Sequence, residues 1–145
     1  MKITASILFI CLACKGTWAQ TPREAVSKAC LYYIEGFYEG DTSKLISSLK
    51  PSLYKLGFWK NKQTGNYDPD GTMSYRQALD YAIGVQQKKR FAKPGSPKQV
   101  EVLDIGNVIA SAKITAWWGT DYLLLSKQDD KWMIEQVIWE GPPVQ

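Results

Sequence analysis

Histidine is absent from all 145 residues, and that gap removes a large part of enzyme chemistry. Without an imidazole, the Ser-His-Asp and Cys-His arrangements of nucleophilic hydrolysis have no base near neutral pH. Imidazole-based zinc sites are excluded as well. No run of Cys, Asp and Glu with ligand spacing replaces them, so the sequence points to no metal and no cofactor. Cysteine is also scarce, with Cys11, Cys14 and Cys30 the only three. An excess of charge of one sign is missing too: 18 Lys and Arg face 14 Asp and Glu. No basic stripe suggests nucleic acid as a partner. The short cluster Lys88-Lys89-Arg90 closes a predicted helix, where cations suit the negative end of the macrodipole. Long apolar runs are lacking after the first residues, so no later segment is expected to span a membrane.

The first residues are different. Lys2 supplies a positive start, Ile3 to Cys14 is almost uninterrupted in its apolar character, and Thr17-Trp18-Ala19 places small residues before Gln20. This is the three-part pattern of a secretory signal peptide. The run is shorter than the roughly 20 apolar residues that cross a bilayer. Cleavage after Ala19 is the expected processing. Lipidation at Cys14 is the lesser alternative, because Cys11 stands where a lipobox wants an aliphatic side chain. The expected organisation is therefore a signal peptide over 1–19 and one domain over 20–145, exported to the periplasm or secreted. Removing 19 of the 145 residues leaves 126 and lowers the net charge from +4 to +2, since Lys2 and Lys15 leave with the peptide. That length buries a core without staples. It leaves Cys30 as the one thiol, which cannot form an internal disulfide.

The mature chain opens with helical signals. Thr21, Pro22 and Glu24 form a capping box with proline at the first turn. Val26, Ala29, Cys30, Tyr33, Ile34 and Phe37 then recur at helical spacing, up to Gly40. Asp41 caps a shorter helix that Pro51 stops. A strand-like stretch, Leu53 to Trp59, leads to a polar turn over Asn61 to Asn66, and Asp68-Pro69-Asp70-Gly71 reads as a further turn. Ser74 and Gln77 open a third helix ending near Lys89. From Gln99 the apolar period becomes two, with strands at Gln99–Ile105, Val108–Trp118, Asp121–Lys127 and Lys131–Trp139. Helices followed by a meander predict an α+β fold, helices lying on one face of an antiparallel sheet.

The turns predict which side chains point inward. A two-residue hairpin at Gly119-Thr120 sets Trp118 opposite Asp121 and Ile114 opposite Leu125. A second at Asp129-Asp130 sets Leu125 opposite Ile134, Leu123 opposite Gln136 and Asp121 opposite Ile138. Both registers put Ile114, Ala116, Leu123, Leu125, Ile134 and Ile138 on one face. Asp121 and Gln136 are its polar exceptions, close to Trp118. Asp121 either sits at the rim capping backbone amides or anchors a ligand at a pocket mouth, with Tyr33, Tyr54 and Trp59 as candidate walls. The opposite face carries Trp117, Tyr122, Leu124 and Trp139, with Lys113 and Glu135 among them. A face this aromatic is expected to be covered, which predicts a homodimer.

Three segments carry a family resemblance: Tyr32-Tyr33-Ile34-Glu35-Gly36-Phe37-Tyr38-Glu39-Gly40-Asp41, Lys113-Ile114-Thr115-Ala116-Trp117-Trp118-Gly119-Thr120-Asp121-Tyr122-Leu123, and Asp130-Lys131-Trp132-Met133-Ile134. In order along the mature chain they resemble the putative lumazine-binding family of the nuclear-transport-factor-2-like superfamily. The resemblance implies a cone: a curved antiparallel sheet wrapped around about three helices, with a central cavity and often a dimer. Family members often carry His-Pro after the second helix. This chain has Lys50-Pro51, so no acid–base role carries over there.

Three functions follow as expectations. The first is an exported small-molecule-binding protein with an aromatic-lined cavity, using Tyr33, Tyr54, Trp59, Trp118, Asp121 and Gln136. The second is an enzyme of the ketosteroid-isomerase, dehydratase or cyclase type with Asp121 as base and a tyrosine donor. Asp104, in phase with Val100 and Val102, is its only candidate second acid. The third is a non-catalytic dimeric interaction module.

Overall fold

The computed structural model describes residues 20–142. The signal-peptide segment and its cleavage site lie outside them. Helix α1 (Pro22–Glu39) begins at the Thr21–Glu24 capping box, both halves of which are formed, and ends at Gly40. Helix α2 (Thr42–Ser48) follows at once, its free amides at Ser43 and Lys44 satisfied by the Asp41 carboxylate. The chain then enters strand β1 (Leu49–Lys60), turns at Asn61–Asn66 and returns as strand β2 (Tyr67–Ser74). Asp68-Pro69-Asp70-Gly71 thus lies within a strand, not a turn. It is an edge strand, where a proline removes no needed ladder bond. The Ser74–Gln77 capping box opens helix α3 (Tyr75–Lys88). Strands β3 (Lys98–Ile105), β4 (Ile109–Ala116), β5 (Gly119–Gln128) and β6 (Lys131–Glu140) complete the chain.

The six strands form one open sheet in the order β2-β1-β6-β5-β4-β3. Every pairing is antiparallel except β1 with β6, which is parallel. The expected all-antiparallel sheet is therefore a mixed one, because the last strand inserts beside the first rather than closing the meander at an edge. Helix α1 packs against β3, β4 and β6 on one face of the sheet. Val26, Cys30, Tyr33, Ile34 and Phe37 pack with Ile114, Leu123, Ile134 and Val137 in one apolar core.

Two registers differ from expectation, with different consequences. The β4–β5 hairpin closes at Ala116–Gly119, so Trp117 and Trp118 form the turn and Ile114 faces Asp121 instead of Leu125. That displacement is even, so every residue still paired in the two strands keeps its predicted face, while Trp117 passes from a strand position into the turn. In the β5–β6 hairpin the Asp129-Asp130 turn and the Leu125–Ile134 pair are as expected, but a bulge follows between Leu124 and Leu125. Glu135 is the extra residue on β6, its carboxylate accepting from the Ser126 and Ser52 hydroxyls. A one-residue bulge inverts the alternation beyond it. Val137 consequently turns into the core, while Gln136 and Ile138 emerge on the outer face, Ile138 being 54% exposed. Trp139 swings from the predicted outer face to the inner one.

Cys30 is fully buried in α1, and burial pushes its thiol up from 9.0 to about 12. A chain starting at Gln20 is expected to resist a thiol-reactive probe in native buffer and to react stoichiometrically once unfolded. Rapid labelling of the native protein would contradict this packing.

Candidate functional site

The site begins with an apparent violation of burial rules: a lysine and an aspartate share the core. On β1 the inward positions are Leu53, Lys55, Gly57 and Trp59. Lys55 is buried like its apolar neighbours, and Asp121 on β5 is fully buried. An unpaired charge at either position would cost several kcal/mol, so each must be compensated. The compensation is complete for Asp121. The Trp118 indole N–H donates to its Oδ1 at 2.6 Å. The Tyr33 hydroxyl donates to Oδ2 at 2.7 Å, and the Lys55 ammonium donates to the same oxygen at 3.0 Å. Lys55 also donates to the Tyr33 hydroxyl oxygen at 2.5 Å. Among the described residues, no buried side-chain nitrogen or oxygen lacks a partner.

Each donor is placed by its own element. Tyr33 projects from the middle of α1, and Lys55 reaches in from β1. Trp118 is turned back over the sheet by the tight β4–β5 turn. The ammonium lies 5.2 Å from the ring centre of Trp139, 5.3 Å from Tyr33, 5.6 Å from Trp118 and 5.9 Å from Phe37. Ring faces at this range stabilise a desolvated cation by up to about 2 kcal/mol each. Gly57 makes room for the nearest of them, since a Cβ there would stand 2.2 Å from the Trp139 indole. Burial lowers the Lys55 pKa, with the Asp121 charge working against that shift. Burial, then the Asp121 charge and hydrogen bond, hold the Tyr33 phenol well above its usual value. Tyr33 is therefore a proton donor at any physiological pH.

Above this cluster opens a cavity of about 410 Å³, lined by Phe37, Lys55, Trp59, Asp70, Met73, Tyr81, Trp117, Trp118 and Trp139. Four tryptophans, a phenylalanine, a tyrosine and a methionine make apolar walls, and the exposed Asp70 stands on β2. An ammonium has three N–H donors. Two of those on Lys55 are taken by Tyr33 and Asp121, which leaves one for the cavity it lines. The arrangement suits a flat molecule with a hydrogen-bond acceptor at its inner end.

Several site expectations need correction. Trp59 and Trp118 do line the cavity, and Tyr33 lies directly beneath it. Asp121 stands behind Lys55 with both oxygens occupied, so it neither faces the cavity nor has a free lone pair directed there as a base. Tyr54 is 51% exposed on the outer face, because it alternates against Lys55. Gln136 is outside for the bulge reason given above. Trp117 and Trp139 belong to the cavity wall and not to the outer surface. Asp104 is exposed and pairs across from Ser111 after a bulge in β3. Lys55 was the omission. The signal for it was present, since it sits two and four residues from Leu53 and Trp59 on the same side of one strand, but a lysine on an inward phase reads as a strand-edge charge. Among the described residues no cluster of three metal-ligating side chains occurs, and no helix is long and apolar enough to cross a membrane.

Comparison with known proteins places the fold. The family model described as "Putative lumazine-binding" matches residues 21–140. Among solved structures, an NTF2-like protein of unknown function from Shewanella baltica superposes with a TM-score of 0.61 at 18% identity, covering 84% of this chain and 94% of that one. One from Silicibacter pomeroyi gives 0.58 at 13% identity, over 79% and 91%. One from Methylobacillus flagellatus gives 0.56 at 15%, over 82% and 90%. No curated protein gives a significant match. At these identities the structural likeness speaks for architecture alone, whereas the family model spans nearly all the described residues: the chain belongs to the putative lumazine-binding family and has a nuclear-transport-factor-2-like fold.

Proposed function

We propose that this is an exported, non-catalytic binding protein whose cavity holds a flat small molecule with an acceptor atom turned toward Lys55. The observation that carries the reading is the tryptophan-walled cavity floored by a buried ammonium with one N–H to spare. Stacking on an indole is worth about 1–3 kcal/mol, and an acceptor meeting a charged donor adds about 1.5–3 kcal/mol. Together they supply orientation as well as affinity. The family description agrees with a small-molecule ligand, and the N-terminal signal pattern supports export. An intact mass beginning at Gln20 for protein recovered from its host would check the export reading.

Tryptophan fluorescence provides the binding test. A panel of flat heteroaromatic carbonyl compounds is expected to include ligands that quench the cavity indoles saturably. Trp139→Ala is expected to weaken such a ligand about tenfold or more, the equivalent of about 1.4 kcal/mol. Unchanged affinity in that variant would contradict the assignment of the cavity as the binding site.

The outer face carries Tyr54, Leu56, Tyr122, Leu124 and Ile138, in adjoining rows across β1, β6 and β5. Four of these are more than half exposed. We propose that this apolar face pairs with a second copy of the chain. The revised membership gains Tyr54, Leu56 and Ile138 and loses Trp117 and Trp139. Sedimentation at concentrations on the order of tens of micromolar is expected to show a dimer, as interfaces of standard size give. Leu124→Lys should dissociate it, and a purely monomeric wild type would contradict the pairing.

A further inference from the structure

The amine at the cavity floor has partners that simple recognition does not require. An acceptor-bearing ligand could be met by any buried N–H, yet here the donor is a primary amine touching both a carboxylate and a phenol. We infer that Lys55 is a nucleophile that condenses with an aromatic aldehyde held in the cavity, forming an imine; this rests on the cavity being the binding site proposed above.

The geometry supplies what each stage needs. Lys55 is the one amine in the cavity lining, so an aldehyde stacked between the indoles meets it alone. The Asp121 carboxylate lies 3.0 Å from Nζ, within reach to take one ammonium proton and free the nitrogen lone pair. Burial lowers the Lys55 pKa, which eases the loss of that proton. The lone pair then attacks the carbonyl carbon, and the C=O π pair moves onto oxygen, which takes up one of the two protons left on that nitrogen. Loss of the second N–H proton to the departing hydroxyl releases water as the C–O bond breaks and C=N forms. One aldehyde and one amine thus give one imine and one water, with no change in oxidation state. Tyr33 lies 2.5 Å from Nζ and 2.7 Å from Asp121 Oδ2, so it bridges the two groups and keeps the amine aimed while the proton moves. The aromatic walls exclude the water that would return the imine to amine and aldehyde.

The test uses 2-naphthaldehyde with cyanoborohydride, which adds hydride to the imine carbon and fixes the adduct, followed by peptide mapping. Lys55 is expected to be labelled about tenfold or more faster than the mean of the other lysines, because bound aldehyde is held at high effective concentration. Excess 2-naphthol, which has the same ring system without a carbonyl, should suppress labelling at Lys55 and nowhere else. Quenching of tryptophan fluorescence by 2-naphthol, with label spread evenly over all lysines, would overturn the imine while leaving the binding reading intact. Absence of both quenching and selective labelling would overturn the two together. The competition arm needs no variant, so it does not depend on whether Lys55→Met folds.

Discussion

Lys55→Met is expected to lower the unfolding free energy by about 3–5 kcal/mol, the usual cost of removing one partner from a buried ion pair. The loss arises at Asp121 rather than at Lys55. Asp121 is fully buried, and after the substitution its charge retains only the Tyr33 and Trp118 donors. For a domain of this size the melting temperature should fall by about 10–20 °C. Asp121→Asn should also be strongly destabilising, because it leaves the Lys55 ammonium in an aromatic enclosure without a counter-charge. The double variant should be less damaged than the sum of the two, with a coupling of about 2 kcal/mol. Strict additivity in thermal or denaturant melts would mean that the two charges do not meet. Asp121 supports the fold beneath the cavity, so its loss reports stability first and ligand capture only through Lys55.

Among the described glycines, Gly119→Ala is expected to be the most disruptive alanine substitution, at about 2–5 kcal/mol. Gly119 has φ +134°, a conformation that L side chains rarely adopt, and an added Cβ would stand 2.0 Å from the Glu140 carbonyl oxygen. Backbone strain contributes about 1–3 kcal/mol, and overpacking against an atom that cannot rotate away contributes a similar amount. The functional consequence is local. Gly119 closes the turn that carries Trp117 and Trp118 into the cavity wall and brings the Trp118 indole onto Asp121. Chemical denaturation would measure the loss, and a near-UV circular dichroism spectrum would show whether the tryptophan environment is lost with it. Wild-type stability in this variant would contradict the close approach of Gly119 to β6.

These two positions also show how much of the molecule could be read from its sequence. The helices were legible, because capping boxes at Thr21–Glu24 and Ser74–Gln77 are local signals decided within four residues. Five of the six strands were legible from alternation, but β2 was not, because Asp68-Pro69-Asp70-Gly71 carries turn chemistry on an edge strand. The even displacement in the β4–β5 hairpin preserved the faces of the strand residues. Strand order was not legible, because the parallel insertion of β6 beside β1 depends on contacts between residues about eighty positions apart. The bulge at Glu135 was hidden for a similar reason: its partners Ser126, Ser52 and Lys50 come from two other strands. That one extra residue exchanged Gln136 for Trp139 in the cavity. Asp121 and Trp118 were found as a polar corner, but the residue that makes sense of them was not. Lys55 reads as a surface charge until Asp121 and the rings of Tyr33, Phe37, Trp118 and Trp139 are seen around it.

The central claim is that the tryptophan cavity floored by Lys55 is a ligand site, and native mass spectrometry of protein purified from its own host tests it most directly. The wild type is expected to carry a small molecule at stoichiometric occupancy, and Trp139→Ala, prepared identically, should fly mostly at its unliganded mass. A wild type recovered empty, and remaining empty after incubation with flat carbonyl-bearing aromatics, would contradict the account.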